Sequence, residues 1–265
     1  MKLEVLVSCM NQDNLSIIKK SQITSDTLII NQTDSESYFI FQDNNQVVRK
    51  FNTLERGLSR SRNMALKHAT GDICLICDDD EILDAHYEQI IIQAFECLPK
   101  ADIIAFDLKN KVTRLSPKTQ KVGRLKSLRL ASYQLAIRRQ RILSAGVCFD
   151  PFMGAGSGNG AGEENKFLLD CMRNGLRVYY VPETIGEVCH GSSTWFFGYD
   201  ESFFIQRGSS TRYMLGLFPS ILYGIYYLVT KRKLYQGTIS TPKASVALFR
   251  GIWQNNIKKA TLRRS

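Results

Sequence analysis

After Glu201 the sequence contains no Asp or Glu, although residues 202–265 hold eleven Lys or Arg. Residues 1–201 carry 24 basic against 25 acidic residues, so the formal net charge of +10 belongs to the tail. A near-neutral main region without a recognised reading motif argues against nucleic acid as the partner. The opening MKLEVLVSCMNQDN lacks the long apolar run of a secretory signal, and Glu4 interrupts what there is, so export is not expected. Cysteines are few and without pattern: seven, an odd number, irregularly spaced. This excludes a disulfide framework and reads as reduced cytosolic thiols. Cys74-x-x-Cys77 has no second pair to complete a zinc site. It lies inside an apolar, strand-like run and not at a helix start, where a redox pair belongs, so both cysteines are expected to pack in a core. The glycine-rich stretch 154–162 lacks the Gly-Lys-Ser/Thr ending of a phosphate-binding P-loop.

What is present is a globular composition, 44% hydrophobic and 23% charged, in a chain of 265 residues long enough for one good core and a smaller appendage. Short β-branched runs begin near Leu3, Thr27, Tyr38, Gln46, Ile73, Ala101 and Leu176. Helical segments are expected at 14–20, from a Ser59 cap to about His68, at 85–98 and from Glu163 onward. Strands alternating with helices predict a three-layer α/β fold around a mostly parallel sheet. Ligands gather at the carboxyl ends of such strands. The exits Ser8–Asn11 and Asn31–Asp34 would open on one edge if their strands are parallel. From Lys109 to Arg141 the chain is basic without one acid, and Pro117 and Gly123 suggest a turn-rich excursion such as a hairpin.

At the end of the apolar run ICLIC stand four consecutive acids, Asp78, Asp79, Asp80 and Glu81. Continued strand alternation would put Asp78 and Asp80 on one side. Two carboxylates about 4 Å apart repel by roughly 4 kcal/mol at an effective dielectric near 20, which invites a cation. Oxygen ligands of this kind suit Mg²⁺ or Mn²⁺. The other reading is a solvated acidic turn capping the next helix.

The context RGLSRSRNMALKHATGDICLICDDDEIL resembles the donor-site region of glycosyltransferase family 2, the inverting GT-A enzymes. Ser61-Arg62-Asn63, Ala69-Thr70-Gly71-Asp72 and Asp78-x-Asp80 follow the family's order, and AIRRQRILSAGVCFDP and GEENKFLLDCMRNGLRVYYVP extend the likeness over roughly residues 3–191. The resemblance implies a GT-A catalytic domain at 1–201, with a nucleotide-sugar half at 1–108 and an acceptor half at 109–201. It implies that Asp78 and Asp80 hold Mn²⁺ or Mg²⁺, with His190 a further ligand, and that Asp79 lies at the donor. Ser8, Asn11, Asn31 and Asp34 would lie around base and ribose of a nucleotide sugar, a UDP-sugar foremost, and Arg62 beside the diphosphate. Asn31 stands where the family often has an acid. Glu164 would be the general base, with Glu163 the second choice; the alternative is that the pair only favours a helix N-terminus.

Residues 202–265 read as a basic, apolar-aromatic helical tail. Tyr213–Thr230 is uncharged for 18 residues, then comes Lys231-Arg232-Lys233. That is short for a spanning helix and suits one lying on an anionic bilayer, with packed helices as the alternative. Val246, Phe249, Trp253 and Ile257 fall on one helical face, blurred by Leu248 and Ile252. The expectation is a cytoplasmic enzyme at the inner membrane face that extends a glycan or lipid-linked acceptor, as in surface polysaccharide synthesis. A nucleotidyltransferase is the enzymatic alternative, but SCMNQDN lacks the glycine-rich, basic signature of one; a nucleic-acid-binding protein using the tail is the non-enzymatic one.

Overall fold

The structure is a computed structural model that describes residues 1–43, 46–110, 113, 115–157, 159, 162–189, 198–255 and 257. The chain divides into two compact units, one of residues 1–149 and 164–191, the other of 150–163 and 192–265. The second unit thus begins ten residues before the acid-free tail and takes in 150–163.

Among the described residues the first unit has eleven strands. In chain order they are β1 (Leu3–Met10), β2 (Asp26–Gln32), β3 (Ser37–Asp43), β4 (Gln46–Thr53), β5 (Ile73–Asp78) and β6 (Glu81–Leu83). There follow β7 (Ile103–Asp107), β8 (Gln120–Lys121), β9 (Leu135–Arg138), β10 (Val178–Thr184) and β11 (Gly186–Val188). Nine of them form one sheet in the order β3-β4-β2-β1-β5-β9-β7-β10-β8, and β11 pairs with β6. Pairings β4–β2, β2–β1, β1–β5 and β7–β10 are parallel, while β3, β8 and β9 run antiparallel to their neighbours. The sheet is mixed and mostly parallel, with helices on both faces.

Alternation explains both layers. Leu3, Val5, Val7 and Cys9 of β1 join one apolar cluster with helices α1 (Ser16–Lys20) and α3 (Tyr87–Cys97). Leu6 of β1 joins the opposite cluster, which holds residues of α2 (Leu58–His68), α5 (Arg139–Ser144) and α6 (Glu163–Arg173). The short α4 (Arg124–Ser127) precedes β9. The same alternation sends Cys74 to one face and Cys77 to the other, so the Cys-x-x-Cys spacing joins nothing; both are buried, free thiols.

Two local expectations change, and one motif gains a structural role. Gly57, not Ser59, precedes α2; its N–H donates to Gln32 Oε1 (2.6 Å), and Ser59 is buried inside the helix. Among the described residues the basic excursion after Lys109 forms no hairpin. It returns as β9, which inserts between β5 and β7, its backbone satisfied on both sides by the ladder. Ala69–Asp72 is a joint: buried Glu4 on β1 accepts from the N–H groups of Thr70 (2.6 Å) and Gly71 (2.8 Å), tying the end of α2 to the sheet.

The second unit contains α7 (Glu201–Leu215), α8 (Leu217–Thr230), α9 (Arg232–Tyr235) and α10 (Thr241–Gln254). Gly208 and Gly251 set the contact between α7 and α10. A Cβ on Gly208 would lie 2.1 Å from the Leu248 carbonyl oxygen, and one on Gly251 2.0 Å from that of Ile205. The close approach brings Ser209 Oγ to donate to Gly251 O (3.0 Å). Phe204, Tyr227, Tyr235 and Leu248 fill the core beside it. Leu248 and Ile252, which blur the α10 pattern in sequence, are its buried face, while Val246 and Trp253 are exposed.

Candidate active site

Strand order reverses about β1, whose neighbours are β2 on one side and β5 on the other. At such a switch point the loops leaving two parallel strands diverge and open a crevice at their carboxyl ends. Ser8 and Asp78 are register partners there, and Cys9 and Met10 continue beside Asn31 and Gln32. The exits of β1, β2 and β4 share this edge.

The acid run is not a strand continued. β5 ends at Asp78, Asp79 and Asp80 form a turn, and β6 starts at Glu81. The turn, not alternation, places the acids. Glu81 is 2% exposed and folds back so that Oε1 accepts the Asp78 N–H (2.7 Å), while its buried Oε2 has no hydrogen-bond partner among the described residues. A solvent-facing role for Glu81 is thereby excluded. Asp79 is half-buried, and burial followed by the charges of Asp78 and Asp80 raises its pKa. Asp80 is exposed; its carbonyl accepts from Cys189 N–H (2.7 Å) next to the β11–β6 pair.

Three consecutive residues of α2 hold the crevice. Successive helix positions point about 100° apart, so neighbours reach different elements. Ser61 Oγ donates to Ser8 Oγ (2.9 Å) on β1. Arg62 Nη2 donates to Asp78 Oδ1 (2.8 Å) and Oδ2 (3.1 Å) and to Ser132 Oγ (2.8 Å), with the guanidinium 5.5 Å from the Phe149 ring centre. Asn63 clamps the Phe149 backbone, accepting from its N–H and donating to its carbonyl, both at 2.8 Å. Phe149 in turn stacks on Phe167 of α6. Arg62 is 1% exposed. Its guanidinium is turned to Asp78 and Ser132, so support of Asp78 is a role beyond the diphosphate contact expected of it.

Asn31 needs a correction. It is 2% exposed, and its amide is consumed: Oδ1 accepts Gln12 N–H (2.9 Å), and Nδ2 donates to Gln12 O (3.0 Å) and Asn52 Oδ1 (2.8 Å). It pins the loop leaving β1 and has no free group for a base. Asn11, exposed with φ 50, sits in that loop, its N–H donating to Gln32 O (3.1 Å). Asp34 stands at the rim, 97% exposed and paired with Arg56 (2.6 Å).

Tyr133, half-buried against the apolar cluster that holds Val5 and Val7, has no forecast in the sequence. Burial and then Glu164, Glu81, Asp78 and Asp80 push its phenol up to about 12. One hydroxyl therefore feels the acid turn and Glu164 together. Glu164, half-buried at the start of α6, shares that field; its neighbour Asn165 donates to Leu130 O (3.0 Å) and anchors the helix end. Glu163 differs. It is 5% exposed, its Oε2 accepts Gly162 N–H (3.1 Å), and Gly154, at φ 92, packs so closely that a Cβ there would meet Glu163 Cδ at 2.9 Å. It secures its own loop, which removes it as second choice for the base. His190 falls outside the described residues. Among the described residues no group of three His, Cys, Asp or Glu is spaced to enclose a metal ion.

Burial, then Asp78, raises the Glu81 pKa well above the ordinary carboxylate value. The folded chain therefore binds this proton more tightly than the unfolded chain. Its contribution to stability is full below the unfolded value of about 4.3. It is lost as pH rises from there through the raised folded value. Replacement of Glu81 by Gln keeps an acceptor for Asp78 and removes the charge. Melting in chelator should then fall less between about pH 5 and about pH 8 than in the wild type. An unchanged fall would place its origin elsewhere.

Residues 31–155 match Glycosyl transferase family 2. The chain carries a glycosyltransferase family 2 domain. It is built as a glycosyltransferase enzyme. The matched region includes Arg62 and the acid turn and ends before Glu163 and Glu164. The fold is that of GT-A glycosyltransferases. A TarS structure from S. aureus (residues 1–349) aligns at 15% identity and TM-score 0.54, covering 95% of this chain and 71% of that one. The same TarS fragment in complex with UDP-GlcNAc aligns at 15% identity and TM-score 0.55, covering 80% and 66%. The mannosyltransferase PcManGT from Pyrobaculum calidifontis, in complex with GDP-Man and Mn²⁺, aligns at 13% and TM-score 0.53, covering 95% and 75%. Against curated proteins the sequence finds no match.

Proposed function

We propose that this glycosyltransferase moves a sugar, with inversion, from a nucleotide sugar onto a hydroxyl of a glycan or lipid-linked acceptor. The donor lies in the crevice between β1 and β5, and a UDP-sugar is the first choice. The observation that carries the reading is the acid turn at the switch point, where Arg62 holds Asp78 and Ser61 holds its register partner Ser8. Structural neighbours bound to UDP-GlcNAc and to GDP-Man support a nucleotide-sugar donor.

The acid turn fits a hard divalent cation. Its donors are carboxylate oxygens, Asp79 is already raised by burial and then by its acidic neighbours, and a buried Glu81 oxygen has no hydrogen-bond partner among the described residues. Asp78 and Asp80 would hold Mn²⁺ or Mg²⁺, with Asp79 beside the donor and His190 a further ligand. The ion, when bound, neutralises charge on a departing nucleoside diphosphate. The protein's own residues do the rest. Arg62 fixes Asp78, Ser61 fixes Ser8, and Tyr133, protonated at neutral pH, can donate a hydrogen bond but cannot serve as the base. Glu164 is left to take the acceptor hydroxyl's proton as that oxygen attacks the anomeric carbon. The basic, acid-free tail supports a reading of the enzyme at an anionic membrane surface on the cytoplasmic side, acting on a lipid-linked acceptor for surface polysaccharide.

The test is hydrolysis and transfer across a panel of nucleotide sugars, with and without Mn²⁺, for wild type and Asp80→Ala. One donor should turn over with the metal and lose about 10²-fold or more in the variant. No turnover of any donor under any metal would sink the reading. Pyrophosphate release from a nucleoside triphosphate would instead make the chain a nucleotidyltransferase.

A further inference from the structure

Resting on the membrane reading above, we infer that the outer face of α8 is the surface that docks the enzyme on an anionic bilayer. Phe218, Leu222, Ile225, Tyr226 and Val229 are 77, 69, 49, 52 and 70% exposed. At about 100° per residue they share an arc roughly 100° wide along the helix. The opposite side is occupied: Ser220, Gly224, Tyr227 and Leu228 are buried, and the space at Gly224 is filled by Leu248 of α10. The exposed ridge is therefore not half of an interior contact within this unit. Five large apolar side chains on one helical face exceed the scattered exposure usual for a soluble surface.

Charge decides what covers the ridge. Lys231, Arg232 and Lys233 follow the last turn of α8 directly, Arg232 and Lys233 exposed. No Asp or Glu occurs anywhere from 202 to 265. An apolar ridge that ends in cations, in a stretch of sequence without acids, complements acyl chains beneath anionic headgroups. The helix lies on the bilayer and does not cross it. Its 14 residues span about 21 Å, against about 30 Å of hydrocarbon. Among the described residues no helix is long and apolar enough to cross a membrane. The ridge sits on a different helix from the α10 face that the sequence pattern singles out.

Flotation of the full chain with vesicles containing phosphatidylglycerol, and with pure phosphatidylcholine vesicles, tests this. Wild type should float with the anionic vesicles. The double substitution Leu222→Glu with Ile225→Glu should reduce that partition by about tenfold or more, since it removes buried apolar surface and adds repulsion. Far-UV circular dichroism should be unchanged. Replacing Lys231, Arg232 and Lys233 by Ser should lower binding to anionic vesicles and leave residual binding to neutral ones untouched. If the double variant floats like wild type, the ridge is wrong while the membrane reading stands. If wild type floats with neither vesicle, both fail. If wild type is a dimer in solution that the double variant splits, the ridge is a protein interface and the inference is overturned.

Discussion

Glu164→Gln should leave donor binding within about twofold of wild type and cut sugar transfer by about 10²–10⁴-fold, the range for losing a positioned general base. The substitution keeps the shape of the side chain and removes only its capacity to accept a proton. Tyr133 cannot take over, because its phenol, pushed up to about 12, keeps its proton at neutral pH. Glu163 cannot either, being buried with its carboxylate on the Gly162 N–H and its flank against Gly154. The companion variant Glu163→Gln should therefore lower the melting temperature more than it lowers turnover at saturating substrate. Initial rates of transfer, with donor affinity measured separately by calorimetry, distinguish the two. Transfer retained in Glu164→Gln would remove the residue from the chemistry.

How far the sequence foretells this site depends on what each residue is asked to do. β1, β2 and β5 are legible because strands buried on both faces leave near-continuous apolar runs. β9 is not: four residues among arginines carry no periodicity, and only the ladder with β5 and β7 makes them a strand. The acid turn is legible as chemistry, since four successive acids at a strand end are costly without a purpose. Its geometry is not, because whether Asp80 continues the strand or turns away depends on Glu81 folding back to the Asp78 N–H. Asn31 sits at the edge where a donor contact belongs, but its amide is spent on Gln12 and Asn52, partners 19 and 21 residues away. Ser132 and Tyr133 had no forecast, for Ser132 meets Arg62 from 70 residues along the chain, inside a stretch that reads only as basic. Residues fixed by local pattern are visible in sequence; residues fixed by a long-range hydrogen bond are not.

Arg62 is the case where that distinction has the largest measurable consequence. Arg62→Met keeps much of the side-chain volume over Phe149 but removes the cation that holds Asp78 and the donor to Ser132. Breaking one partner of a buried ion pair costs about 3–5 kcal/mol. Asp78 retains 24% side-chain exposure and regains water, so a loss of about 2–3 kcal/mol, measured by urea unfolding in chelator, is expected. The same change has an opposite effect on cation binding. Asp78, Asp79 and Asp80 lose their buried counter-charge, so the acid turn becomes a stronger attractor for a divalent ion. Addition of Mn²⁺ should then raise the melting temperature of Arg62→Met by more than it raises that of the wild type. Transfer should nevertheless fall by about 10²-fold or more, because Asp78 is no longer held beside Ser8. Arg62→Lys supplies charge without the forked geometry that spans Asp78 and Ser132, and should lie between the two. If instead Arg62→Met unfolds no more easily than wild type, and its response to Mn²⁺ is unchanged or smaller, Arg62 is not the support of Asp78 and its charge acts directly on the donor.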